Sequence, residues 1–403
     1  MAKKVIVYTG TYQDQYWMSD QYRPKFNPLI KAAHGIGIGR FEFDPESGRL
    51  SPLGYTYANN NPATLWVSPN QKYLYAAHET KNFDGALGAG GGLSAYKIDQ
   101  KTGDLILINT VSSCGTFAAY VTTDRLGEYV VVGNHASYFY TTTFTKTGDG
   151  DYVPQVHHDI GSLALFRVRP DGGVEEACDV QELPGCGYDV HNQNGAHPHS
   201  VEITLDDFVI TPNKGGDRVD VFKLDRKNGK LLPIESFPAN PGAAPRHIAI
   251  HPSLPFFFII NEFNNKVVAY QWDRTTGKLT EIMQSFTVPS QFVGKSYTSC
   301  DVKIHPSGKF LYVTNHPPFF SITAFNINQK TGELNLIGSF REVMDNFREI
   351  AFDPSGKYLV GGSMDGDRML VFEVDEKTGL LSKSKHEPVP AVYPSCTHFA
   401  EIG

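Results

Sequence analysis

The sequence predicts an all-β chain folded as one seven-bladed β-propeller over residues 1–403, with four antiparallel strands per blade. Three observations predict it: a phrase repeated seven times, a second phrase preceding most copies, and chain ends that complement each other.

The repeated phrase is an alternating apolar strand, a polar turn ending in Gly, and then Leu or Val. It reads RFEFDPESGRL (40–50), AYKIDQKTGDL (95–105), LFRVRPDGGV (165–174), VFKLDRKNGKL (221–231), AYQWDRTTGKL (269–279), AFNINQKTGEL (324–334) and VFEVDEKTGLL (371–381). Its glycines stand 55, 69, 57, 48, 55 and 47 residues apart, which gives a unit near 48 with insertions. Alternation broken by an Asx/Gly turn is a hairpin signal.

The second phrase is a hairpin with a Pro-containing turn, as in LWVSPNQKYLYAAHE (65–79), IAIHPSLPFFFIINE (248–262), VKIHPSGKFLYVTNH (302–316) and IAFDPSGKYLVGGSM (350–364). Each period therefore holds four strands, a to d, and radial repetition of such units buries both faces of every blade.

The ends supply the third observation. VIVYTGTY begins at a strand b, and SCTHFAEI (395–402) fits the missing strand a. The last stretch of chain then completes the first blade and removes an open sheet edge. Helical solenoids are excluded, and no Gly-His…Trp-Asp pairs mark a WD40 propeller.

Composition narrows the function. The net charge is −7 and no Lys/Arg run occurs, so no nucleic-acid partner is expected. No apolar stretch approaches the ~20 residues that span a bilayer, and no signal peptide is visible. The five scattered cysteines suggest neither a disulfide framework nor a structural zinc site. The expected compartment is the cytosol. The run GALGAGGG lies between strands, so it is no phosphate cradle and no cofactor is expected.

Laying the repeats in register brings polar residues to one mouth of the channel. Positions equivalent to Arg246 are Ala63, Phe117, His199, Cys300, Arg348 and, across the closure, Thr397. The next positions are Thr64, Ala118, Ser200, His247, Asp301, Glu349 and His398. The ends of strand b return to the same rim with His78, Glu79, Asn134, His135, Asn213, Lys214, Asn261, Glu262, Asn315 and His316.

The set His199, Arg246, Glu262 and Arg348 combines anion binding with proton transfer. Around it, His197, His247, Asn261, Lys214, His316 and Tyr138 are the candidates for substrate contact. The competing reading makes Arg246–Glu262 and Arg348–Glu349 structural ion pairs between blades. The histidines at 157, 158, 191, 197 and 199 with Asp159 invite zinc or calcium, but lack tight helical spacing, so no metal is expected.

Insertions at about 13–33, 80–92, 137–159 and 182–197 are expected as loops on the same face. They are rich in aromatics, including Tyr12, Tyr16, Trp17, Tyr22, Phe26, Tyr138, Phe139, Tyr140, Phe144 and Tyr152. Such loops suit a lid or pocket wall, or an interface for a homo-oligomer.

GAHPHSVEIT (195–204) with KGGDRVDVFKLD (214–225), and APRHIAIHP (244–252) with INEFNNKVVAY (260–270), resemble the lactonase family of seven-bladed propellers. That family includes bacterial 6-phosphogluconolactonase and the fungal-type 3-carboxy-cis,cis-muconate lactonising enzyme. The resemblance spans the chain outside the insertions. It implies a metal-independent lactonase acting on a small anionic lactone or carboxylic acid, with its His, Arg, Glu and Arg at His199, Arg246, Glu262 and Arg348. Phe117-Ala118-Ala119 and Asn213-Lys214-Gly215-Gly216-Asp217 depart from the family phrases, and the blade 1–3 insertions are larger. A lactonising lyase or isomerase on a bulkier acid is the alternative, and a non-catalytic binding propeller the second.

Overall fold

The computed structural model describes residues 3–13, 34–293, 299–316, 318–341 and 346–403. Seven antiparallel sheets follow one another around a central channel, each running from strand a inside to strand d outside. Strand a is Pro62–Val67 in blade 2, Ala118–Thr123 in blade 3, Glu202–Ile203 in blade 4, Pro245–Ile250 in blade 5, Ser299–Ile304 in blade 6 and Phe347–Phe352 in blade 7. Blade 1 takes its strand a from the C-terminus. His398–Ile402 pairs antiparallel with Lys4–Thr9, opposing Tyr8 to His398 and Lys4 to Ile402. The expected closure is present.

The repeated phrase explains the hairpins. In blade 2 the Asp99 carboxylate accepts from the backbone N–H of Lys101 (2.8 Å) and Thr102 (2.9 Å), which starts the c–d turn. Gly103 ends it at φ +75°, and a Cβ there would lie 2.9 Å from Ile6 of blade 1. The glycine is therefore required by the turn and by the neighbouring blade at once. The Tyr8 hydroxyl donates to the Gly103 carbonyl at 2.7 Å, and Tyr312 likewise reaches Gly379 at 2.8 Å.

The core is divided among the blade interfaces. Seven large apolar clusters each draw on two successive blades. The last packs Tyr358, Val360 and Met369 of blade 7 against Val5, Val7 and Phe41 of blade 1, so closure is apolar as well as hydrogen-bonded.

One insertion differs from expectation. Residues 137–159 contain a two-stranded ribbon, Tyr140–Lys146 paired with Tyr152–His158, exposed along both strands. The run of Thr alternating with aromatics has β propensity that a reading as loop overlooked. Residues 80–92 hold one 3₁₀ turn, Phe83–Gly85. Residues 14–33, with Tyr16, Trp17, Tyr22 and Phe26, lie outside the described residues.

Candidate active site

Strand pairing fixes which residues share a level of the channel. Pro245 faces Asn261 and His247 faces Ile260, with a bulge between that leaves Arg246 at the rim. The same offset places Ala63, His199, Cys300 and Arg348 at this level, as expected. Two blades differ. In blade 3, Ala118 faces Asn134 and Tyr120 faces Gly133, so the rim residues are Ala119 and Tyr120, not Phe117 and Ala118. In blade 1, Pro394 bridges Thr11 as Pro198 bridges Asn213, so they are Ser395 and Cys396, not Thr397 and His398.

The cause is local. The residue before the rim bulge takes a left-handed φ at Asn61 (53°), Phe117 (54°), Ala244 (54°) and Tyr393 (45°). In three of these blades Pro follows at once, and Pro394 was the signal that would have fixed the blade 1 register.

Arg246, Glu262 and Lys214, all buried, form one chain with the half-buried Tyr138. Arg246 Nε lies 3.1 Å from Glu262 Oε2, and Lys214 Nζ lies 2.9 Å from the same oxygen. Lys214 also donates to the Tyr138 hydroxyl at 2.9 Å. Burial works against the lysine's charge, but Glu262 and Tyr138 together outweigh it and hold Lys214 above its ordinary value. Arg246 Nη1 donates to the Cys300 carbonyl. Its Nη2 makes no hydrogen bond among the described residues, which leaves one guanidinium N–H pair for a ligand.

Arg348 belongs to a second chain. Its Nη2 meets Glu79 Oε2 at 2.9 Å, its Nη1 meets Glu349 Oε1 at 3.2 Å, and its guanidinium stands 5.3 Å from the Tyr12 ring centre. The Tyr12 hydroxyl donates to Glu79. Glu79 and Tyr12 are the b-strand ends equivalent to Glu262 in blades 2 and 1, and the site reading left both out. Both ion pairs of the structural reading exist, but each lies within a single blade; the pairs that cross between blades are Lys214–Glu262 and Arg348–Glu79.

The histidines divide by role. His197 is tied down: one ring nitrogen meets the His135 carbonyl (2.6 Å) and the other the Asn194 side chain (2.9 Å). It stacks on His135 at 4.6 Å, and burial lowers its pKa to about 4. His316 is bound to the Phe347 carbonyl at 3.1 Å, and burial takes it to about 4. His247 pairs with Asp301 at 2.9 Å and is pushed to about 3 by burial and by Arg246. Asn261 is buried at the end of strand b, opposite Pro245.

His199 is different. Its Nδ1 is buried with no hydrogen-bond partner among the described residues. Its ring lies 5.2 Å from His247 and 5.0 Å from His135, centre to centre. Burial, then Arg246, hold its pKa well below the ordinary value, so the ring is neutral near pH 7. A neutral imidazole with an unengaged nitrogen beside a guanidinium is suited to accept a proton where negative charge develops.

The histidines at 157, 158 and 191 do not join this set. His157 and His158 sit on the exposed ribbon, where His157 bonds Thr143, and His191 is exposed. Among the described residues they form no metal-ligand group with His197, His199 or Asp159.

The model of the lactonase family of seven-bladed β-propellers matches residues 6–399. The chain belongs to that family. A 6-phosphogluconolactonase of Formosa agariphila is 30% identical to this lactonase-family chain over 360 residues, 88% of this chain and 93% of that one. The 6-phosphogluconolactonase of Bacillus subtilis is 28% identical, covering 90% and 94%. A periplasmic gluconolactonase of Pseudomonas aeruginosa shares the fold at a TM-score of 0.81, with 23% identity over the whole of both chains. Among the described residues of this lactonase-family protein, no helix is long and apolar enough to cross a membrane.

Proposed function

We propose that this protein hydrolyses an anionic sugar-acid lactone of the 6-phosphogluconolactone type, using His199, Arg246, Glu262 and Arg348. A neutral His199 whose ring nitrogens make no hydrogen bond among the described residues, beside Arg246, carries this reading. Water attacks the lactone carbonyl carbon as His199 takes its proton. The Arg246 Nη2 donor meets the oxyanion. Collapse breaks the bond to the ring oxygen, which leaves as an alcohol with the proton from His199. One water is consumed and one hydroxy acid forms.

Glu262 is the weaker candidate for the base. Two cations hold its carboxylate, so its work is to fix Arg246 and Lys214 in place. Arg348 and Lys214 supply charge for the anionic end of the substrate. The names carried by the two relatives above favour hydrolysis over ring closure of a muconate-like acid.

The test is turnover by the purified protein of 6-phosphoglucono-δ-lactone and glucono-δ-lactone, followed by acid release, beside a ring-closure assay on a carboxymuconate. Catalysed acid release from a lactone is expected. Ring closure without lactone hydrolysis, or no turnover of any of them, overturns the reading. A cytosolic location remains part of the proposal: all five cysteines are free thiols, as in a reducing compartment, and fractionation checks it. The exposed Tyr140, Phe144 and Tyr152 of the ribbon keep a homo-oligomer in view, which light scattering tests.

A further inference from the structure

Below the rim, at the seam where the propeller closes, three side chains from two blades converge. Glu349 comes from strand a of blade 7, and Cys396 and His398 come from the C-terminal stretch that completes blade 1. Their ligand atoms all lie within 4.8 Å of one another, and His398 Nε2 is 4.0 Å from Glu349 Oε2. Among the described residues no other group of three or more His, Cys, Asp or Glu side chains is gathered in this way.

We propose that Glu349, Cys396 and His398 form a site for a zinc-like divalent cation that clamps the closure. One thiolate, one imidazole and one carboxylate are a donor set that suits zinc. Tetrahedral bonds of ~2.3 Å to sulfur and ~2.0–2.1 Å to nitrogen or oxygen put ligand atoms roughly 3.3–3.8 Å apart. The three side chains need to close by only about 1 Å.

The surroundings support the set. The Gly10 N–H donates to Cys396 Sγ at 3.2 Å, an outer hydrogen bond of the kind that steadies a metal-bound ligand. The Trp66 ring meets the His398 ring edge-on at 5.6 Å. The nearby cations have partners of their own. Arg348 is shared with Glu79 and bonds only Oε1 of Glu349, leaving Oε2 facing His398. Lys303 pairs with Asp301 at 3.3 Å. Binding replaces the thiol proton of Cys396, which goes to solvent, with a metal–sulfur bond.

The position assigns the role. Glu349 and Cys396 lie one residue beyond the rim level, and His398 lies two further along the channel. The metal would therefore not be the reaction centre. It would link the last strand of the chain to blade 7 and brace the carboxylate behind Arg348. This inference is independent of the lactonase reading.

Titration of the chelator-treated full-length protein with cobalt(II) tests it. The expected result is one cobalt per chain, with a near-ultraviolet thiolate-to-cobalt charge-transfer band that zinc abolishes. Cys396→Ser should lose the band, Cys300→Ala should keep it, and His398→Gln should weaken binding by more than about tenfold. Zinc should raise Tm in the wild type and not in Cys396→Ser. If Cys396→Ser does not fold, the His398→Gln affinity decides. No charge-transfer band in the folded wild type, a band that survives Cys396→Ser, or undiminished affinity in His398→Gln overturns the proposal.

Discussion

Lys214 Nζ stands 2.9 Å from Glu262 Oε2, so an ammonium at the end of strand b in blade 4 holds the carboxylate at the end of strand b in blade 5. Both are buried, and the same carboxylate lies 3.1 Å from Arg246. Removing one partner of a buried pair costs about 3–5 kcal/mol when the other is left alone. Here Arg246 remains, so Lys214→Met is expected at the lower end, about 3 kcal/mol, measured by urea unfolding. A loss under about 0.5 kcal/mol contradicts the structural weight given to this pair.

The ribbon makes an opposite prediction. Its strands bond to each other and are exposed along their length among the described residues. Replacing residues 141–157 by a short Gly-Asn turn should leave Tm within a few degrees of wild type. Its effect should fall on KM for lactone, because Tyr138 at its base reaches Lys214. A collapse of Tm would show that the ribbon holds the fold.

Acidification should destabilise the protein below about pH 6.5. His78, His197 and His316 are lowered to about 4, and His247 and His398 to about 3, chiefly by burial. A histidine with a depressed folded pKa stabilises the fold above its unfolded value of ~6.5. That contribution is lost as pH falls toward the folded value, because the unfolded chain takes up protons first. Glu202 and Glu349, raised to about 7 by burial, act in the opposite sense and lose their contribution as pH rises from ~4.5 to 7. Five histidines outweigh two glutamates. Calorimetry at constant ionic strength should give a lower Tm at pH 5.5 than at pH 7.5, and an equal or higher one contradicts the balance.

The closing strand yields a further prediction. Deleting residues 398–403 exposes strand Lys4–Thr9 as a bare edge and removes Ala400 and Ile402 from the core between blades 1 and 2. Loss of soluble, cooperatively folding protein is expected, read by size exclusion and thermal melting.

Blade count, strand order, closure and the rim positions of His199, Arg246, Glu262 and Arg348 were legible because alternation, Asx/Gly turns and rim residues recur with the period of the fold. What escaped was set by single residues that break the period. In blades 3 and 1 the left-handed residue before the rim bulge is Phe117 or Tyr393, two positions away from where the repeat register put it. Glu79 and Tyr12 escaped the site reading because their partner Arg348 lies 269 residues from Glu79 and meets it only through ring closure. The link between Tyr138 and Lys214 depends on how an inserted ribbon is rooted, which repeat register cannot state.

The central claim is that His199 moves the proton at a rim held by Arg246. The most direct test is the steady-state rate of lactone hydrolysis by His199→Ala beside wild type, with Tm measured on the same samples. Among the described residues His199 makes no side-chain hydrogen bond, so Tm should change by a few degrees at most, while kcat should fall by roughly 10²–10⁴-fold. A folded His199→Ala enzyme that keeps the wild-type kcat contradicts the account.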